Sequence, residues 1–308
     1  MKKILIFVLV LITTLLFGFR LDISDVGSEQ KEYTLSQRIK CLYFYQDEFM
    51  TSVNNAKEVS GVKGLIAGGV VPHHLLARNM IADFFAALSE RKPETIIILA
   101  PNHKRIGEKK VITSLQDWET YFGILETNGE LAGKLIKSGT AASKSTVLEE
   151  DHSISSLIPY IKYYMPDSKV VPLLLHGNLG LPDSVKLGNY IGTIAKDNNC
   201  VVIASVDFSH YLSVEKADIM DSITLDAIKR RDIRAISKMT NDNLDSPPSI
   251  ISLLTAMDTM GAGDMLLIEN NNSAKISGQS PDYTTSYFTM LLSQTDSSMK
   301  SEEDLLIR

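Results

Sequence analysis

The sequence predicts a single α/β domain with a mostly parallel or mixed central sheet flanked by helices. Three observations predict it. Short apolar runs rich in β-branched residues recur along the chain, amphipathic stretches of helical length alternate with them, and no linker breaks the series. The runs are apolar throughout rather than on alternate residues, as expected of strands covered on both faces of a parallel sheet. With 44% hydrophobic residues among 308, and only 18 Gly and 10 Pro, a disordered or collagen-like chain is excluded.

The first twenty residues stand apart. Lys2 and Lys3 precede an apolar run over 4–19 in which only Thr13, Thr14 and Gly18 are not strongly apolar, and Arg20 and Asp22 end it. A basic start, a short apolar centre and a polar exit read as a secretory signal or an uncleaved membrane anchor over 1–20. As a helix the run would span roughly 24 Å, a little less than the hydrocarbon core of about 30 Å. Phe17, Gly18, Phe19 and Arg20 make a poor small-x-small cleavage site, and no Cys near the end of the run suits a lipid anchor. The expectation is an extracytoplasmic protein, secreted or tethered by this segment; a buried N-terminal helix is the alternative.

Residues 21–60 are polar and mixed, a lead-in with one short helix, and the α/β domain is expected over 61–293. Gly61 and Gly64 open onto a strand at 65–71, closed by Pro72. A helical pattern at 75–89 leads to a strand at 95–100, ended by Pro101. Helical patterns follow at 130–138 and 154–164, and a strand at 170–175 runs into Gly177. Beyond Gly180 come a helix at 184–197 and a strand at 201–205, headed by Cys200 as a buried small hydrophobe. Helices at 214–229 and 249–260 come next; Gly261 and Gly263 turn the chain into strands at 265–269 and 283–292. Residues 294–308, rich in Ser, Asp and Glu, form a flexible tail.

Composition excludes several functions. Thirty-one Lys and Arg against 37 Asp and Glu leave a net charge of −6, and −9 once 1–20 (Lys2, Lys3, Arg20, no acid) is set apart. Without a run of five basic residues there is no electrostatic reason to bind nucleic acid. Cys41 and Cys200 cannot build a disulfide framework or a Cys-rich metal knuckle. No G-x-G-x-x-G follows a strand and no G-x-x-x-x-G-K-[ST] occurs, so nucleotide binding has no support. The basic stretch at 104–110 reads as a solvated loop.

The six histidines carry more information. Three expected strands end alike: Val71-Pro72-His73-His74, Ala100-Pro101-Asn102-His103 and Asp207-Phe208-Ser209-His210. Each delivers a His just past its carboxyl end, where open α/β sheets place their ligands. His152 lies in Glu149-Glu150-Asp151-His152-Ser153, where Asp151 or Ser153 can cap the next helix. His176 follows a strand, but Gly177 makes an ordinary turn equally plausible. Imidazoles converging from separate strands suit a divalent transition metal, with Asp207 as a ligand or as an orienting partner of His210. A hydrolase triad of Ser205, Ser209 or Ser153 with His210 and Asp207 is the competing reading, without a G-x-S-x-G elbow.

Read together, Val71-Pro72-His73, Ala100-Pro101-Asn102-His103, Asp151-His152-Ser153-Ile154, Pro172-Leu173-Leu174 and Asp207-Phe208-Ser209-His210 occur in one order. This ordered set resembles the Memo family, the AmmeMemoRadiSam system protein B of bacteria and archaea. That family typically shows V-P-H-A-G, G-P-[SN]-H, E-H-S-[IL]-E, P-[IV]-L and S-D-[FL]-[ST]-H, and the segment from Ser280 to Tyr287 is similar to its final strand. The resemblance implies a fold similar to class III extradiol (LigB-type) non-haem iron dioxygenases. It implies a metal pocket formed by His73, His103 and His210, with Asp207 beside the last and His152 as the His of E-H-S. Copper or iron binding is associated with family members, and with zinc also suited to these ligand types the expected cofactor is iron, copper or zinc. The sequence departs from the pattern at His74 and Leu75, at Ser155, and at Asp245, which stands where some members carry Cys. An oxygen ligand there disfavours copper(I) more than iron, zinc or manganese.

The resulting expectation is a histidine-lined pocket holding a divalent metal through His73, His103, His210, Asp207 and Asp245. If it is an enzyme, it is a non-haem metal-dependent oxidoreductase in which His152 and His210 handle protons. The alternative is a catalytically degenerate scaffold that works through protein partners, such as those of the AmmeMemoRadiSam system. Ser155 and Asp245 favour the scaffold; the retained His73, His103 and His210 favour a working site. A metal-dependent hydrolase is the third reading.

Overall fold

The computed structural model describes residues 38–279 and 283–294, within one compact unit that begins at Arg38. The expected signal or anchor at 1–20, the first part of the lead-in and the tail past 294 lie outside the described residues. The chain opens with β1 (Ile39–Lys40), α1 (Gln46–Asn54) and β2 (Leu65–Val71), then a 3-10 turn at Leu75–Ala77, α2 (Arg78–Ser89) and β3 (Thr95–Pro101). Next come β4 (Val111–Thr113), β5 (Trp118–Thr120), β6 (Gly123–Leu125), α3 (Gly129–Lys137) and β7 (Ala142–Ser143). Three short helices, α4 (Ser145–Glu150), α5 (His152–Ser155) and α6 (Ile158–Tyr164), precede β8 (Lys169–Leu175), α7 (Leu181–Asp197) and β9 (Cys200–Ser205). α8 (Val214–Lys229), α9 (Ile233–Ile236), α10 (Pro247–Met260), β10 (Asp264–Asn272), α11 (Ser273–Ser277) and β11 (Ser286–Gln294) complete the order.

The expected class is the one observed. Eight strands form a mixed sheet in the order β10-β11-β2-β9-β3-β8-β4-β7, and β1-β5-β6 form a small second sheet. The central four, β2, β9, β3 and β8, run parallel, while β11 pairs antiparallel with both β10 and β2. Each central strand is apolar on both faces because helices cover both. Ile97, Leu99 and Val202 meet Leu187 and Ile191 of α7 and Leu253 and Met257 of α10 in one core layer. Ile96, Ile98 and Ile203 meet Phe84 and Phe85 of α2 and Ile158 and Ile161 of α6 in the other. Complete burial of each such side chain contributes roughly 1.5–3 kcal/mol.

Differences from the expected elements have local causes. The pattern at 154–164 divides into α5 and α6 because Pro159, in the first turn of α6, lacks the N–H that a continuous helix would need there. The lead-in contains β1 and α1, whose Ile39 and Phe49 are buried in the same layer as α2 and α6. In β2, a Cβ on Gly69 would stand 2.5 Å from the Met290 carbonyl oxygen and 2.6 Å from the Phe84 ring. Gly69→Ala is therefore expected to destabilise the fold by about 1–3 kcal/mol, the usual range for overpacking. A denaturation midpoint at the wild-type value would refute that reading of the contact.

Candidate metal centre

β2, β9 and β3 end side by side, and pairing carries on past the strands. The Val206 N–H donates to the Val71 carbonyl (3.0 Å), which sets the following residues of both chains next to each other. There the His73 N–H donates to Asp207 Oδ1 at 3.1 Å. The loop before α10 folds back onto this exit through a bridge between Phe208 and Leu244, and the Asp245 N–H donates to the Asp207 carbonyl at 3.1 Å. From β3, Pro101 and Asn102 lead to His103. Asp151 caps α5 by accepting from the Ser153 N–H at 3.0 Å, which places His152 at the start of that helix.

These exits bring His73, His103 and His152 together, each with a ring nitrogen within 4.8 Å of the others. The rings of His103 and His152 are stacked, with centroids 4.4 Å apart, and His73 stands edge-on to both. Three imidazoles in this arrangement can form a metal site.

Hydrogen bonds determine which nitrogens are free. The Ser205 hydroxyl gives its only proton to the Ser153 carbonyl (2.5 Å), so His73 Nδ1 must be the donor in its 3.1 Å contact with Ser205 Oγ. Burial, with the neighbouring His103 and His152, holds His73 well below the usual histidine range, so Nε2 carries a lone pair. That lone pair faces Asp245 Oδ2 at 3.3 Å and Asp207 Oδ2 at 3.6 Å. Buried acceptors in such contact require a positive charge or a proton between them. Burial pushes Asp245 up to about 7 and raises Asp207 as well, the sign that a proton fills this role when no cation does. Asp245 Oδ1 and His210 Nδ1 are also buried without a hydrogen-bond partner. The donor set therefore fits a divalent cation.

His103 is oriented by a carboxylate. Its Nδ1 donates to Asp151 Oδ1 and its backbone N–H to Asp151 Oδ2, both at 2.9 Å. Nε2 is left facing Asp245 Oδ2 at 3.8 Å, the arrangement by which an outer carboxylate fixes a metal-ligating imidazole. Burial opposes charge on His103, but its bonds to Asp151 and Asp245 push it up to about 10. Burial alone would raise Asp151, yet its pairing with His103 brings it down to about 2. The signs are opposite. The Asp151 contribution to stability is present above its ordinary 3.8 and is lost as pH falls through about 2. The His103 contribution is full below 6.5 and is lost as pH rises through about 10. Melting of the metal-free protein against pH should show both losses; Asp151→Asn should remove the acid one and reduce the alkaline one, to which Asp245 also contributes.

The predicted site residues are placed as follows. Of the expected ligands, His73 lies against Asp207 and Asp245, and His103 against Asp245. His152, expected as a proton carrier, belongs to the three-nitrogen group. His210 lies outside that group, with its backbone N–H on the Asn241 carbonyl and its ring held below the usual range by burial. His74 Nδ1 pairs with the Tyr287 hydroxyl at 2.5 Å, and His176 sits in a turn where its Nδ1 accepts from the Asn178 N–H. The serine triad does not assemble: Ser153 donates to the Pro101 carbonyl, Ser205 to the Ser153 carbonyl and Ser209 to Asp221. Burial and nearby Glu119 push the Cys41 thiol up to about 12, so it is protonated at neutral pH. Sequence reasoning does not reveal that Asp151 holds the His103 ring. The one signal is a carboxylate directly before His152, which reads equally well as a helix cap. Beside the centre lies a cleft of about 400 Å³ lined by Tyr43, Tyr45, His73, His74, Arg78 and His152, among others.

Fold and site together define an α/β protein whose parallel strands deliver His73, His103 and Asp207 past their carboxyl ends, where His152 of α5 and Asp245 of the loop before α10 join them. The sequence profile of the Memo-like proteins matches residues 46–291, and the chain belongs to the Memo family. It is 30% identical over 234 residues to a MEMO1 family protein of Pyrobaculum arsenaticum, covering 73% of this chain and 82% of that one. A MEMO1 family protein of Methanococcoides burtonii is 32% identical over 225 residues, covering 69% and 82%. The crystal structure of an uncharacterized protein from Escherichia coli K12 aligns with a TM-score of 0.49 at 10% identity, covering 73% of this chain and 99% of that one.

Proposed function

We propose that the chain binds one divalent transition metal through His73, His103 and His152, with Asp245 and Asp207 as adjoining oxygen donors. On this reading it carries out non-haem redox chemistry of the dioxygenase type on a small substrate in the adjacent cleft. The observation that carries it is the convergence of three imidazoles, with His73 Nε2 directed at the buried carboxylates of Asp245 and Asp207. When bound, the metal would supply Lewis-acid and redox chemistry. The protein's own groups do the rest. Asp151 holds the His103 ring in register, Ser205 sets the His73 tautomer, and His210, neutral beside Asp207, can take a proton from a substrate hydroxyl. Tyr43, its ring 5.7 Å from His152, forms one wall against solvent. Oxygen ligands at Asp245 and Asp207 favour iron or zinc over copper(I). The apolar run at 1–20 is read as the device that exports the domain or tethers it to a membrane.

Metal and protons compete for the same atoms. Metal affinity is therefore expected to rise with pH through the Asp245 range near 7 and onward toward the His103 range near 10, with proton release on binding. Calorimetry in two buffers of different ionisation enthalpy measures the protons directly; a pH-independent affinity would remove these two groups from the ligand set. The redox reading is tested by oxygen consumption of the iron-loaded protein with catechol-like substrates. Uptake that depends on His73 and His103 is expected, and loaded protein that consumes no oxygen with any of them would refute the dioxygenase branch.

A further inference from the structure

The described residues present an exposed aromatic surface close to Arg38, the first of them. Leu42, Tyr45, Tyr121, Ile124 and Tyr163 are 39–62% exposed. Phe44 stacks on Tyr121 with centroids 5.5 Å apart, and Phe122 meets Phe44 at 5.9 Å and Tyr163 at 5.3 Å. The rings thus join the β1–α1 loop, the β5–β6 hairpin and α6 into one patch. Single exposed apolar side chains are ordinary, whereas a contiguous patch marks a partner.

Two features select the partner. The exposed rings are all Tyr, an apolar body with a polar tip, the residue type that settles at the membrane–water boundary. The position in the chain agrees. Residues 21–37 alone separate the segment at 1–20 from Arg38, and Leu42 follows four residues later. Seventeen residues reach at most about 60 Å, so an anchored run keeps the patch at high local concentration next to a bilayer. We infer that this patch is a docking surface for a bilayer, with the Tyr rings at headgroup level. The inference rests on reading 1–20 as an anchor. The acidic balance of the chain gives anionic lipids no advantage, so a zwitterionic surface suffices. Tyr45 belongs both to the patch and to the wall of the cleft, so a docked body would offer that cleft to lipid-soluble substrates.

The test uses the full chain reconstituted with phosphatidylcholine vesicles whose acyl chains are brominated. Trp118, the single native Trp, is fully buried, so Tyr121→Trp adds an exposed reporter to a constant background. Bromination is expected to quench the added emission at least twofold. Tyr163→Trp is expected to report the same from α6. Tyr190→Trp, on α7 across the sheet, is expected to be unaffected. Vesicle flotation reports the anchor separately: a chain that does not float overturns the anchor and the docking with it. A chain that floats with Tyr121→Trp and Tyr163→Trp insensitive to bromine keeps the anchor and overturns the docking alone. Burial of these reporters that instead follows protein concentration without lipid would assign the patch to a second copy and overturn the inference.

Discussion

His73→Ala combined with His103→Ala is expected to leave a folded protein that no longer retains metal through gel filtration. Loss of an outer partner of a metal ligand costs roughly 10–100-fold in affinity, and removal of two ligands should exceed that. The fold should persist because both core layers form between helices and strands that do not include these side chains. The variant also removes the His103 ring that Asp151 pairs with, so the metal-free variant should melt below the metal-free wild type while still unfolding cooperatively. Retained metal at the wild-type level, by elemental analysis of the gel-filtered protein, would dismiss the assigned ligands.

Asp151→Ala carries the second large effect, and it acts on stability and affinity together. The side chain is 1% exposed as part of a buried residue and accepts from the His103 ring, the His103 N–H and the Ser153 N–H. Each buried donor left unpaired costs about 1–3 kcal/mol, so a total loss near 3 kcal/mol or more is expected. The freed His103 ring should lower metal affinity by roughly 10–100-fold. Asp151→Asn separates the two effects. It preserves shape and part of the cap, but its amide must face one of the donors, so affinity should fall more than stability. Denaturant midpoints and metal titrations of both variants check this; an Asp151→Ala protein with wild-type affinity would show that His103 needs no orienting partner.

The parallel core was legible because strands buried on both faces write themselves as unbroken apolar runs. The carboxyl ends of β2, β3 and β9 then followed, and with them His73, His103 and Asp207. Strands of two or three residues, β1 and β4 to β7, carry no period that a sequence can display. The grouping of His152 with His73 and His103, leaving His210 outside, depends on α5 leaning over the end of β3 and on two side-chain bonds, Ser205 to Ser153 and His103 to Asp151. Such contacts join residues about fifty positions apart and leave no mark in local pattern. Asp245 was placed by matching a family position; its burial against His73 comes from the loop that pairs Leu244 with Phe208. The short break at Pro159 is visible in the sequence, since a Pro six residues into a continuous helical pattern ends it or begins another.

On the proposed reading, three imidazoles hold one metal ion. The most direct test is X-ray absorption at the metal edge of the full chain loaded with iron or zinc, which counts imidazole ligands from their multiple-scattering signature. One metal per chain is expected, with three histidine ligands and oxygen completing the set, and the histidine count should drop when His152→Ala removes one ring. A metal bound through oxygen alone, or one whose histidine count is unchanged by loss of His73, His103 or His152, would contradict it.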